Sequence, residues 1–252
     1  MTVKGQSGLG RIRLFNDFFG GEEALDAEAK VVVDAKDFKL VGEGLADNDV
    51  QITTLDSDGL GGVVQIESAD TDADSTCLVT SVGFDVGLMG TLVLETRVRF
   101  ADFDTKVVFV GFTDDNQDAL SIENHLFDVT AATTIENTAS DICGFYLQSD
   151  MTYGTEWHAI YNGGATAAST DTNDNDLDVV AVAGEWDVLR LEVDNNGTAR
   201  WWINGVVVKT LAGALSTSTD VAAVVGLGTV SGARELMDVD YLLVEANRDW
   251  NA

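Results

Sequence analysis

The clearest alternation of apolar and polar positions lies between residues 184 and 211, GEWDVLRLEVDNNGTARWWINGVVVKTL. Leu189, Leu191 and Val193 alternate with Arg190, Glu192 and Asp194, the period of a half-buried strand. After Asn195-Asn196-Gly197, residues Ala199, Trp201 and Ile203 alternate with Arg200, Trp202 and Asn204. A three-residue loop with Gly197 in the left-handed region keeps both apolar sets on one face. That register sets Glu192 opposite Arg200 and Arg190 opposite Trp202, a salt pair and a cation–π pair on the outer face. Asn204-Gly205 then forms a tight hairpin into Val206-Val207-Val208, which pairs Trp202 with Val207 and sets Lys209 uncomfortably beside Arg200. The stretch predicts a three-strand meander.

The rest of the chain repeats this grammar. Leu92, Leu94, Thr96, Val98 and Phe100 alternate with Val93, Glu95, Arg97 and Arg99, whereas Lys106 to Phe112 is continuously apolar, as in a central strand. Short runs follow the same rule at 31–33, 38–41, 50–55, 63–67, 77–82, 144–148, 157–161, 179–182, 221–227 and 239–244, with glycine and aspartate turns between them. Such spacing argues a sandwich or barrel. Residues 163–178, GGATAASTDTNDNDLD, have little to bury and are expected to be an exposed loop. Ala119 to Phe127 is the best short helix, and Glu22 to Lys30 holds at most a turn of one. The expected fold is all-β, a two-sheet antiparallel jelly-roll sandwich over 31–252, preceded by an extended N-terminal arm, 1–30.

The meander, together with GTLVLETRVRF at 90–100, VVFVGFTDD at 107–115 and DVDYLLVEANR at 238–248, resembles the concanavalin A-like lectin/glucanase (LamG-like) jelly rolls. The resemblance spans residues 60 to 248. It implies either sugar binding or glycosidic hydrolysis. Glucanases of that fold carry Glu-x-Asp-x-x-Glu on one strand face, because hydrolysis needs two carboxyl groups flanking the bond. Here Glu192-Val193-Asp194 runs into Asn195-Asn196 with no glutamate to finish the set, and Glu235 to Asp240 has the wrong spacing. The departure argues against an enzyme. Sugar binding needs an aromatic platform with polar neighbours, for which Trp157, His158, Tyr161 and Trp202 are the candidates; core packing or strand-surface pairing accounts for each equally well.

Charge narrows the partners. Fourteen basic against 43 acidic residues give a net −29, which repels nucleic acid and anionic membrane. Asp171-x-Asn173-x-Asn175 and Asp114-x-Asn116-x-Asp118 offer oxygen ligands at alternate positions, the preference of calcium, but neither continues into an EF-hand loop; Asp70, Asp72 and Asp74 make a third alternating set. No other cofactor motif is present. Cys77 and Cys143 form neither a disulfide framework nor a metal set, and their apolar runs predict buried free thiols. Proline is absent altogether.

The first residues invert the charge. Lys4, Arg11 and Arg13 precede any acid, and Phe15, Phe18 and Phe19 follow within a few residues. Phe15, Phe18 and Phe19 either plug the end of the sandwich or, together with the cations, dock the arm on a neighbouring subunit. MTVKGQSGLGRIRLF lacks the apolar core and cleavage site of a signal peptide. GRIRLFNDFFG before a LamG-like domain is similar to jelly-roll proteins among tailed-bacteriophage structural genes, such as head-decoration proteins and fibres. That resemblance implies a homo-oligomer made in the host cytoplasm and displayed on the virion surface, bound to the major capsid protein or another virion protein. A carbohydrate-binding module touching a surface glycan and a degenerate glycoside hydrolase are the alternative expectations.

Overall fold

A computed structural model describes residues 10–18, 38–45, 52–54, 62–80 and 83–248. In chain order these form β1 (Arg11–Asn16), β2 (Phe38–Val41), β3 (Ile52–Thr54), β4 (Val64–Glu67), β5 (Ser75–Thr80), β6 (Phe84–Asp85), a helical turn α1 (Val86–Met89), β7 (Leu92–Arg99) and β8 (Lys106–Thr113). A single π-helical turn (Ile122–Leu126) leads into β9 (Phe127–Ala131), β10 (Thr134–Asn137), β11 (Ile142–Gln148), β12 (Glu156–Asn162), the turn α2 (Thr172–Asn175) and β13 (Asp176–Val180). The meander is β14 (Trp186–Val193), β15 (Ala199–Ile203) and β16 (Val206–Leu211), followed by β17 (Asp220–Thr229) and β18 (Leu236–Asn247).

Two antiparallel sheets make the expected sandwich. Sheet 1 runs β16-β15-β14-β7-β18-β4-β3, and sheet 2 runs β13-β12-β11-β8-β17-β5-β2 with β6 beside β17. Leu94, Leu191, Trp201 and Val244 of sheet 1 meet Val110, Phe145, Trp157 and Val225 of sheet 2 in the main core. The sheets differ on their far sides. Sheet 1 alternates buried and half-buried residues along β14 and β15, so its outer face meets solvent. In β5, β8 and β11 of sheet 2 every residue is buried. The cause is a roof: Ile122, Leu126, Phe127, Val129 and Ile135 lie on Phe109, Tyr146, Ile160 and Val224 and form a second core. Continuous apolar runs are what a sheet covered on both faces requires.

Gly111 and Gly144 are cross-strand partners at the centre of sheet 2. A Cβ at either would come within 2.8 Å of the Phe109 ring. Their bare backbone is therefore what lets Phe109 lie flat enough to carry Phe127, whose ring sits 6.2 Å away, with Tyr146 5.1 Å beyond.

The meander has the expected register: Glu192 opposes Arg200, Arg190 opposes Trp202, and Trp202 opposes Val207. Gly197 has φ +75°, and Asn204-Gly205 has φ +51° and +79°, as a type I′ turn requires. The expected side-chain pairs are corrected. Arg190 faces Glu95 across β7 and takes Glu95 and Glu192, at 2.9 and 2.7 Å, leaving Arg200 to Asp194 at 2.8 Å. The clash of Lys209 with Arg200 never arises. A bulge between Trp201 and Trp202 moves Lys209 opposite Trp201, and its ammonium reaches inward over the Tyr161 ring at 5.6 Å.

Three further expectations change. Residues 11–16 are no free arm but an edge strand: β1 pairs with the Leu242–Asn247 half of β18, while β4 pairs with its other half. Leu14 and Phe18 are buried in the main core, and Arg13 pairs with Glu245 at 3.3 Å. Burial of those two apolar groups and six residues of ladder hold this segment within its own domain, so the sandwich begins before residue 31. The stretch 163–178 is not simply loop; it holds α2 and the start of β13, and Thr172, Asn175 and Leu177 are buried. The helix expected at 119–127 is the π-helical turn running into β9. Strand 31–33, the turn at 22–30, Lys4 and Phe19 lie outside the described residues.

Candidate functional site

The four aromatic candidates for sugar contact do not converge. Trp157 is fully buried in the main core, its indole N–H donating to Asp187 at 3.0 Å. Tyr161 is buried there too. His158 points to the other face of β12, also fully buried; its ring packs on Tyr146 at 5.2 Å and its Nδ1–H donates to the Glu156 carbonyl at 2.8 Å. Burial lowers its pKa, so it is a neutral core imidazole. These three are corrected from surface to interior: β12 is covered on both faces, so alternation along it cannot mark an exposed side. Trp202 alone stays on the outer face of sheet 1, half-buried, beside exposed Val206 and Val207.

That outer face is a lattice of fixed charges. Besides the Arg190 cluster, Arg97 reaches Asp240 at 2.8 Å and Arg99 reaches Asp238 at 2.7 Å. Both guanidinium groups also lie 4.5 Å from the Trp186 ring. Tyr241 donates its hydroxyl to Glu95 at 2.8 Å; burial first, then the Glu95 carboxylate, pushes its phenol up. Phe15 of β1 is exposed and lies against Tyr241, with centroids 6.3 Å apart. Among the described residues seven arginines pair with carboxylates, all on sheet 1 or segments joined to it. Glu192 and Asp194 are both held this way.

The outer side of sheet 2 is more acidic, with Lys39 held by Asp118 at 3.5 Å as its paired cation among the described residues. Glu123 sits half-buried on the π-helical turn, near enough to the carboxylates of Asp72, Asp128 and Asp150 to feel their charge. Gln148 donates Nε2 to Glu123 Oε1 at 3.0 Å, and its Oε1 is buried with no hydrogen-bond partner among the described residues. Burial and then the three aspartates raise the Glu123 pKa to about 7. Burial, Glu136, Asp150 and Asp72 likewise raise Asp128. Sequence reading missed this ring because its members come from four separate segments. The π-helical turn that aims Glu123 has no simple sequence period, though such turns recur at functional sites.

The calcium sets are spent on the protein itself. Asp171 caps α2 and accepts from the Asn173 side chain at 2.8 Å, while Asn175 is buried and donates to the Ser169 carbonyl at 3.2 Å. Asp114 accepts from the Asp141 backbone at 3.1 Å, and Asp118 and the Asn116 carbonyl both hold Lys39. Alternate residues in these turns thus point to different partners, and no group of three His, Cys, Asp or Glu residues could hold a metal ion among the described residues. Cys77 and Cys143 are free and buried, and burial pushes both thiols up.

No protein-family model and no curated protein sequence matches the chain. Solved structures do. The Emp47p carbohydrate recognition domain is similar over 96% of this chain and 99% of its own, with 12% identity and a TM-score of 0.59. A structure from work on endo-acting O-glycanases of the human gut microbiota covers 91% of this chain and 97% of its own, at 11% identity and TM-score 0.57. The pseudo beta-1,3-glucanase of Mycobacterium tuberculosis covers 91% and 96%, at 11% identity and TM-score 0.52. At these identities the likeness is one of fold, and it makes the sandwich concanavalin A-like.

Proposed function

We propose that the protein is a non-catalytic carbohydrate-binding module that meets its glycan on the outer face of sheet 1, around Trp202. The observation that carries this reading is the half-buried Trp202 indole, the one sugar-contact candidate left outside the core, opposite Arg190 and its two carboxylate partners. A flat indole stacks the C–H face of a sugar ring, and rigid guanidinium and carboxylate groups beside it supply directional hydrogen bonds. The fold neighbours named for carbohydrate recognition and glycan cleavage support this reading over a role on a virion surface, for which they offer nothing.

Catalysis on this face is disfavoured by chemistry. Glycoside hydrolysis needs one carboxyl group that can donate a proton and a second free to act as base or nucleophile. Glu192 and Asp194 are engaged by Arg190 and Arg200 instead. A glycan array with wild type and Trp202→Ala tests the proposal. Binding should fall at least about tenfold in the variant. Absence of any wild-type binding, or binding indifferent to Trp202, would sink it.

A further inference from the structure

The ring of acids on the outer side of sheet 2 is not used by the reading above. Four elements build it: the loop carrying Asp72, the π-helical turn carrying Glu123, β9 carrying Asp128, and the turn after β11 carrying Asp150. Among the described residues, no salt bridge links any of the four to a cation, whereas the acids of sheet 1 lie against arginines. Beneath them lies Gln148, 1% exposed, with one half of its amide bound to Glu123 and the other half an unanswered acceptor. A buried carbonyl without a donor costs free energy that a ligand N–H would recover.

We propose that Glu123, Gln148 and the surrounding aspartates form a binding site for a protonated primary amine. The donor set selects this chemistry. Carboxylates and an amide oxygen are all acceptors, so the ligand must bring donors. Compensating clustered negative charge requires a cation. An ammonium group brings three N–H bonds and one positive charge. A divalent metal would need several of these oxygens within bonding distance at once, which the ring does not provide. Such an amine occurs both on de-acetylated amino sugars and on free polyamines. The site lies across the sandwich from Trp202 and stands or falls separately from it.

The carboxyl at the centre supplies a distinctive readout. With its pKa raised to about 7 by burial and by Asp128, Asp72 and Asp150, Glu123 carries its proton about half the time at neutral pH. The amide of Gln148 opposes that rise, and no basic side chain is among the groups that shift it. An arriving ammonium favours the carboxylate, so Glu123 gives its share of proton to buffer, and the wild type should release more protons per amine bound at pH 7 than Glu123→Gln, whatever the amine itself takes up.

Isothermal titration of the full chain in two buffers of different ionisation enthalpy measures both affinity and proton release. The probes are glucosamine oligomers, their N-acetylated counterparts and spermidine. Expected is binding of at least one amine, no binding of the N-acetylated sugar, and proton release greater in the wild type than in Glu123→Gln, with affinity in the variant down about 10–100-fold. Tighter binding of the glucosamine oligomer than of spermidine assigns the amine to a sugar, and the reverse assigns it to a free polyamine; either supports the site. Asp220→Asn removes one exposed charge elsewhere and should change nothing. If it weakens binding as much as Glu123→Gln, bulk charge explains the attraction and the proposal is overturned. Failure of both amines, or equal binding of the N-acetylated oligomer, overturns it too. Gln148→Met, which keeps every carboxylate, should also weaken binding, so the result does not hang on one variant folding.

Discussion

Trp201 and Trp202 are neighbours in sequence and strangers in structure, and replacing each in turn measures the sandwich directly. Trp201 is fully buried, and its indole N–H crosses to the other sheet to reach the Gly144 carbonyl at 2.7 Å. Removing a core tryptophan costs about 3–5 kcal/mol in lost burial and cavity. Stranding the buried Gly144 carbonyl adds about 1–3 kcal/mol unless water enters. Trp201→Ala should therefore cost about 4–8 kcal/mol, much of the ~5–15 kcal/mol that holds an ordinary domain together. Trp201→Phe keeps most of the packing and isolates the cross-sheet bond, at about 1–2 kcal/mol. Trp202→Ala, on the half-buried outer face, should cost about 1 kcal/mol. Urea unfolding followed by circular dichroism reads all three, with the slope against denaturant unchanged if the native fold survives. Equal losses at 201 and 202, or a larger loss at 202, would refute the placement of the two faces.

Two further outcomes follow from sheet 2. Because the folded Glu123 pKa lies near 7 and its ordinary value is 4.5, its stabilising share is present below pH 4.5 and lost as pH rises through 7. Screening of this half-exposed group reduces the full value to about 1–1.5 kcal/mol, and Glu123→Gln should flatten that part of a melting-temperature profile between pH 4.5 and 8; an unchanged profile would contradict the ring geometry. Gly111→Ala should destabilise by about 1–3 kcal/mol, because its Cβ would meet the Cys143 carbonyl at 2.4 Å and Phe109 at 2.8 Å; a neutral melting shift would mean that the aromatic roof does not rest on the glycine pair.

The sequence was most legible where one face of a strand meets solvent. Leu189, Leu191 and Val193 against Arg190, Glu192 and Asp194 could be phased without ambiguity, and the turn glycines then set the register. Legibility failed where both faces are covered. Trp157, His158 and Tyr161 belong to β12, most of which is buried on both sides, so no periodicity separates core from surface there. The roof was hidden for another reason. Phe127, Val129 and Ile135 alternate well enough for a hairpin, but the apolar positions just before them imitate a helix and drew the boundary wrongly. At the N-terminus charge alone left two readings open: Arg11 and Arg13 suit a partner as well as their own domain, and Glu245, the residue they meet, lies more than two hundred positions away in the chain. For the same reason the acid ring could not be seen, since spacing along one segment says nothing about four.

The uneven placement of arginine makes the molecule electrically one-ended. Over the described residues, sheet 1 presents positive and negative groups interleaved at contact distance, so its field cancels within a few ångströms, while the far side, beyond its Lys39–Asp118 pair, projects negative potential. At physiological salt the field in solvent decays over about 8 Å, so an approaching surface responds chiefly to the side turned toward it. Close to an anionic wall, such as an acidic polysaccharide coat, the protein would experience a torque before any contact: the acid-rich side swings away and the Trp202 side turns inward. Orientation would then precede recognition, and the encounter rate with a negatively charged surface would respond to salt even though the charges of the face proposed to meet the glycan are paired.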